Sequence, residues 1–210
     1  GVVQWVLAGE VQQELVGLID QAGGKAMGLT GRDGAMIRAC KLLLKDKRDP
    51  TKEHDIGQVG DITAVDARPL HTLLEAGYIP VVSPIGLGAG GESYNINADD
   101  AACAIARAVN AEKLAFLTDV EGVYRDFEDK SSLISEMTVK EAQDFVNSGS
   151  LGGGMLPKLN NCTSAIRNGV NRVHILDGRL AHCLLLEIFT TEGIGTMVVR
   201  EDESEEQEPA

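Results

Sequence analysis

Aromatic residues make up only 4% of this 210-residue chain, so a core of ordinary size has to be assembled from Val, Ile, Leu and Ala. Cysteine offers no useful spacing. Cys40, Cys103, Cys162 and Cys183 stand far apart with no CxxC pair, which argues against a zinc ribbon or a disulfide framework and for reduced, partly buried thiols. No run of about 18 apolar residues occurs, and no basic segment leading into an apolar stretch opens the chain, so neither a membrane span nor a signal peptide is read and a cytoplasmic protein is expected. Basic residues are outnumbered, 19 Lys and Arg against 32 Asp and Glu, for a net charge of -13. Nucleic acid is therefore a poor partner, because phosphate neutralisation needs clustered cations, and no membrane partner is expected without an apolar span. Six of the acids lie in the last ten residues with no base among them, leaving 26 acids against 19 bases before them. Residues 201–210 are expected to form a solvated, disordered tail.

Against these absences, 43% hydrophobic and 24% charged residues are globular averages, and the length suits one large domain or two small ones. Val11, Leu15, Leu18 and Ile19 fall at helical spacing within Glu10 to Ala22, which ends at Gly23-Gly24. Lys25 to Leu29 reads as a strand. The charged stretch Lys41 to Asp55 carries Pro50 and reads as an exposed loop or hairpin, followed by a short strand at Val59 to Ala64 and a helix at Ala67 to Ala76. Tyr78 to Ile85 is a continuous apolar run, consistent with a buried strand stopping near Pro84, and Gly86 to Gly91 reads as a loop. A helix is predicted over Asp99 to Val109, capped by Asn97 or Asp99. Beyond it come a strand at Leu114 to Thr118, helices at Ser135 to Ser148 and Leu159 to Asn168, a strand at Val173 to Asp177, a helix at Leu184 to Phe189 and a strand at Thr196 to Val199. This alternation predicts an α/β chain with a largely parallel sheet between helices, with a waist near residue 111.

Four segments carry chemistry. Gly86-Leu87-Gly88-Ala89-Gly90-Gly91 matches GxGxxG after a strand, yet the next helix begins about eight residues later, so the loop cannot hand a pyrophosphate to a helix terminus, and a surface turn is favoured. Tyr94-Asn95-Ile96-Asn97-Ala98-Asp99-Asp100-Ala101-Ala102 puts two carboxamides and two carboxylates just before an apolar helix, suited to a bound carboxylate or acyl group, or else to ordinary capping. Leu117-Thr118-Asp119-Val120-Glu121-Gly122-Val123 ends a strand in a glycine turn, where α/β sheets bind ligands and Asp119 suits a ribose hydroxyl. Ser150-Leu151-Gly152-Gly153-Gly154-Met155-Leu156-Pro157-Lys158 brings glycines and one lysine to the start of a helix. In so acidic a chain an anionic ligand needs local positive charge, and Lys158 is the best-placed donor.

Read together, these segments resemble the amino acid kinase family, and within it the branch that phosphorylates acetylglutamate. YNINAD (94–99), EKLAFLTDVEGV (112–123), GGMLPK (153–158), VHILDGR (173–179) and EGIGTM (192–197) look like its signatures in order, and Leu7 to Asp33 is similar too, so the likeness covers about residues 2 to 200. The resemblance implies a three-layer αβα sandwich with a mainly parallel sheet, here without the family's N-terminal strands. Residues 1–111 would be the remainder of an acetylglutamate-binding and dimerisation domain, and 112–200 a nucleotide-binding domain. The family's Lys-x-Gly-Gly turn, its second glycine loop and its carboxylate-binding arginine are not matched, so this polypeptide alone is expected to have little kinase activity.

The implied reaction transfers the γ-phosphoryl of ATP, with Mg2+, to the side-chain carboxylate of N-acetyl-L-glutamate in arginine biosynthesis. Lys158 and Asp99 would be catalytic, the lysine stabilising the transferring phosphoryl and the aspartate ordering the catalytic lysines. Asn95 would bind substrate. Thr118, Asp119, Val120, Gly122, Val123, Tyr124, Ser150, Leu151 and Gly152 would line the nucleotide. His174, Glu187 and Gly193 match a site for L-arginine as effector, the alternative being that Glu187 is a surface helix residue and His174 a partly buried strand residue. No resident metal site is expected, and a homodimer or higher homo-oligomer is implied. Other readings are a related amino acid kinase acting on aspartate, glutamate, carbamate or a nucleoside monophosphate, and a non-catalytic module that binds nucleotide or arginine.

Overall fold

A computed structural model describes residues 1–46, 48–126, 128–148, 155–190 and 193–201. The chain divides into two compact units, Gly1–Val109 and Asn110–Ala210.

The first unit opens with a helical run: α1 (Val2–Gln4), a π-wound stretch over Trp5–Val11, and α2 (Gln12–Gln21). The helix thus begins well before Glu10, where the sequence pattern places it. After it come β1 (Ala26–Thr30), β2 (Ile37–Lys45), β3 (Glu53–Val65), α3 (Arg68–Glu75), β4 (Ile79–Ser83), β5 (Ile85–Leu87), β6 (Ser93–Asn95) and α4 (Ala98–Ala108). β1 and β4 pair in parallel from Ala26↔Ile79 to Thr30↔Ser83. The Gln12 side chain of α2 is buried against that pair, its Nε2 lying 2.6 Å from Leu29 O, 2.9 Å from Val81 O and 2.9 Å from Ser83 Oγ. Strands β2, β3, β6 and β5 close a small barrel.

The stretch read as a loop or hairpin at 41–55 is the outer part of the β2–β3 hairpin, and β3 runs through 13 residues rather than the short strand expected at 59–64. Its outer residues are exposed, so the alternation of a half-buried strand is missing from the sequence there. A second correction concerns 86–91. Gly86 and Leu87 belong to β5, paired antiparallel with β6 through Gly86↔Tyr94 and Leu87↔Ser93, so the expected loop begins only at Gly88 and forms the turn of a β5–β6 hairpin. The strand position needs glycine because a Cβ at 86 would come within 2.7 Å of the Ala39 Cβ. Met36, Ile37 and Leu70 form one core cluster of this unit, and Ala39, Ile96 and Ala101 another.

The second unit contains β7 (Lys113–Thr118), β8 (Glu136–Thr138), α5 (Val139–Ser148), α6 (Met155–Arg167), β9 (Arg172–Asp177), α7 (Cys183–Phe189) and β10 (Thr196–Val199). The sheet order is β7-β9-β10-β8, with β7/β9 and β10/β8 parallel and β9/β10 antiparallel. The helix expected from Ser135 is preceded by strand β8, which pairs Met137 with Val198. Thr138 then switches the chain into α5 by a capping box: its Oγ1 accepts the Glu141 N–H at 3.2 Å, while Glu141 Oε2 accepts the Thr138 N–H at 2.8 Å. Central β9 buries Val173, His174, Ile175 and Leu176 in succession, as a strand covered on both faces must. All four cysteines are free, and Cys40 is exposed rather than partly buried. The tail residues 202–210 lie outside the described residues. Among the described residues, no helix is long and apolar enough to cross a membrane.

Candidate functional site

In the first unit the site begins with Asn95, which ends β6 and pairs with Ile85 and Val59. Ile96 is buried and donates its N–H to Pro84 O at 2.9 Å, which fixes the chain as it leaves the strand. Asn97 caps α4: its Oδ1 accepts the N–H groups of Asp99 (2.9 Å) and Asp100 (3.1 Å). Asp99, half-buried in the first turn, therefore stands at the positive end of the helix dipole. Asn95 at the end of β6 and Asp99 in the first turn of α4 thus flank one capped helix terminus.

In the second unit the Thr118–Tyr124 segment leaves the carboxyl end of β7 beside that of β9. Thr118 pairs with Asp177, and its carbonyl accepts the Gly178 N–H at 2.8 Å. The buried Thr118 hydroxyl accepts the Val120 N–H at 2.9 Å, which makes the first turn beyond the strand. Val123 is buried, and its N–H is held by Thr196 Oγ1 at 2.8 Å. The Tyr124 hydroxyl donates to Glu121, while Lys130 donates to the same carboxylate at 2.7 Å and lies 4.6 Å from the Tyr124 ring centroid. Lys130 and Tyr124 hold Glu121 below the usual carboxylate range, and burial followed by the Glu121 contact pushes the Tyr124 hydroxyl up. Across the strand ends, Arg179 grips Asp177 with two nitrogens at 2.9 and 2.8 Å and lowers its carboxyl to about 2. Thr196, Asp177 and Arg179 were not singled out from sequence as site residues. The last two lie in the VHILDGR motif and Thr196 in the EGIGTM motif, so the motifs held the signal although no role was read from these residues.

Lys158 is half-buried in the first turn of α6, the helix packed on β9 and β10. A cation there opposes the helix dipole, so the position does not serve helix stability and adds to the positive field at that end. Ser150, Leu151 and Gly152, expected to line a nucleotide, lie outside the described residues.

His174, Glu187 and Gly193 are brought together. His174 Nδ1 lies 2.7 Å from Glu187 Oε1, and the two side chains are only 7% and 6% exposed. Glu187 is therefore not a surface residue. Its other oxygen accepts the N–H groups of Ile194 (2.8 Å) and Gly195 (3.2 Å). Gly193 adopts φ +63°, and a Cβ there would come within 2.9 Å of Glu187 Oε2, so only glycine fits without strain. The His174 hydrogen bond holds Glu187 below the usual glutamate range against the opposing effect of burial. His174 Nε2 is buried without a hydrogen-bond partner among the described residues.

These features define an α/β protein whose candidate site residues stand at the carboxyl ends of parallel strands and at the first turns of two helices. The chain belongs to the amino acid kinase family, whose model matches residues 2–177. It is 54% identical over 197 residues to the acetylglutamate kinase of Paracidovorax citrulli, covering 94% of this chain and 66% of that one. With the acetylglutamate kinase of Symbiobacterium thermophilum it shares 53% identity over 199 residues, covering 95% and 68%. The chain thus spans about two thirds of the length of these relatives. Among solved structures it is similar to the N-acetylglutamate synthase of Neisseria gonorrhoeae complexed with coenzyme A and N-acetyl-glutamate, at 27% identity and a TM-score of 0.72, over 90% of this chain and 43% of that one. The same enzyme complexed with coenzyme A and L-arginine gives 25% identity and a TM-score of 0.69, over 90% and 45%. A Giardia carbamate kinase, at 13% identity and a TM-score of 0.66 over 95% and 71%, shares the fold.

Proposed function

We propose that this chain serves the ATP-dependent phosphorylation of N-acetyl-L-glutamate on its side-chain carboxylate, giving N-acetylglutamyl 5-phosphate and ADP in arginine biosynthesis. The observation that carries the reading is the 54% identity to an acetylglutamate kinase. The family match at residues 2–177 encloses Asn95, Asp99, Asp119 and Lys158.

Both reactants are anions, and phosphoryl transfer asks the protein mainly for positioning and charge neutralisation. The Asn95 amide binds the main-chain region of acetylglutamate. Asp99 orders the lysines that face phosphate, and Lys158 stabilises the transferring phosphoryl group. Thr118, Asp119, Val120, Gly122, Val123 and Tyr124, with Ser150, Leu151 and Gly152, line the nucleotide. Asn95 and Asp99 belong to one compact unit and the others to the second, so their convergence on one cleft is part of the proposal. No cluster of three or more His, Cys, Asp or Glu side chains suited to a metal occurs among the described residues. Magnesium is assigned to the phosphates of ATP, as phosphoryl transfer requires, and enters as part of the substrate.

L-Arginine is proposed as an effector bound at His174, Glu187 and Gly193, in line with the arginine complex of the structurally similar synthase. The Glu187 carboxylate is the group suited to a guanidinium. A homo-oligomer in the cytoplasm completes the reading.

The test is calorimetric titration of the chain with acetylglutamate and, separately, with magnesium ADP. Both are expected to bind, and Asn95→Ala is expected to weaken acetylglutamate about tenfold while leaving ADP unchanged. Failure to bind either ligand, or equal affinity for aspartate, glutamate and acetylglutamate, overturns the assignment. ADP binding with no response to acetylglutamate points to a nucleotide-binding module instead.

A further inference from the structure

We propose that Thr196 is a positioning residue for the nucleotide: it seats the Thr118–Tyr124 segment from beneath without touching the ligand. The inference rests on the nucleotide reading given above and extends it to a residue in a different part of the chain.

Thr196 opens β10, where it pairs with Ile175 of β9, and it has no solvent exposure. A buried hydroxyl is costly unless it is fully hydrogen-bonded, and this one is used twice. Thr196 Oγ1 accepts the Val123 N–H at 2.8 Å and donates to Ile134 O at 2.6 Å. Ile134 in turn donates its own N–H to Val123 O at 2.8 Å. The hydroxyl therefore closes a ring with the two backbones and ties the exit of the glycine turn to the sheet.

The other end of the turn is tied as well. Thr118 Oγ1 holds the Val120 N–H, and the Gly178 N–H holds Thr118 O. Asp119 thus lies in a short arc anchored at Thr118 and at Val123, which is the kind of preorganisation that lowers the entropic cost of binding.

Gly122 is the matching half of the seat. A Cβ on it would come within 2.5 Å of Thr196 Oγ1 and 2.9 Å of Leu133 Cδ1. The arc can approach the hydroxyl closely enough for the Val123 bond only because residue 122 has no side chain. Valine at 196 would keep the shape and lose both bonds, leaving the Val123 N–H and Ile134 O unpaired in a buried place.

The experiment measures amide hydrogen exchange at Val123 together with ADP and acetylglutamate affinity, in the whole chain and in Thr196→Val and Thr196→Ser. Thr196→Val is expected to speed Val123 exchange and weaken ADP, each about tenfold, with acetylglutamate affinity unchanged. Thr196→Ser is expected to restore both. Unaltered ADP affinity in Thr196→Val, or a serine variant as impaired as the valine one, overturns the positioning role while the nucleotide reading survives. Absence of ADP binding by the unaltered chain removes the nucleotide reading and the positioning role with it. Should Thr196→Val fail to fold, Gly122→Ala presses on the same hydroxyl from the other side. A similar loss of ADP affinity is then expected, and wild-type affinity overturns the role.

Discussion

The Glu187 carboxylate lies 2.7 Å from His174 Nδ1 through one oxygen and, through the other, gathers the N–H groups of Ile194 and Gly195. One side chain thus ties α7 to the central strand β9 and to the entrance of β10. Removing it in Glu187→Ala strands a histidine nitrogen and two backbone donors, and a loss on the order of 3 kcal/mol in urea unfolding at neutral pH is expected.

The same pair predicts a pH dependence. Glu187 is held below its ordinary range in the folded state, so its contribution is complete above the unfolded value and is lost as pH falls through the folded one. The stability gap between the wild-type chain and Glu187→Gln should be widest near neutrality and shrink below about pH 5. A gap that grows in acid would contradict the ionised, hydrogen-bonded carboxylate.

Gln12 predicts a sensitive spot under α2. Its amide nitrogen faces two carbonyls and the Ser83 hydroxyl, so a carboxylate in its place would set oxygen against oxygen. Gln12→Glu is expected to destabilise the chain by about 3 kcal/mol, more than Gln12→Met, in thermal or urea unfolding.

Asn97 caps α4, its side-chain oxygen accepting the N–H groups of Asp99 and Asp100. Asn97→Ala should cost about 1 kcal/mol and Asn97→Asp little, as measured by urea unfolding. Because the cap sets the turn between Asn95 and Asp99, acetylglutamate affinity should fall in the alanine variant and hold in the aspartate one.

Lys158 and Asp119 separate chemistry from binding. With hydroxylamine present to trap an acyl phosphate, Lys158→Ala is expected to remove the small hydroxamate formation of the unaltered chain. ADP affinity should change far less. Asp119→Asn should do the reverse, weakening ADP in calorimetry while acetylglutamate binds as before.

Much of the local structure was readable because it is encoded locally. Asn97 before Ala98 announces a helix start, and the β-branched and aliphatic residues Val173, Ile175 and Leu176 announce a strand. Three strand segments lie beyond a local reading for a common reason. Strand β8 exists because Met137 meets Val198 about sixty residues later. Gly86 is a strand residue because Ala39 and Tyr94 flank it. The outer arms of β2 and β3 hold each other through pairs such as Leu44↔His54 while facing water, so no hydrophobic period marks them.

The order of residue types along the chain by itself determined the α/β class, the helix caps and the grouping of Asn95 with Asp99 and of Thr118 with Tyr124, because each depends on neighbours within a few positions. Only the tertiary structure decided that Glu187 is buried on His174, that Gln12 is held under β1 and β4, and that Thr196 seats Val123. Those choices rest on desolvation: a polar group far along the chain is satisfied or stranded according to which backbone the fold brings within about 3 Å of it.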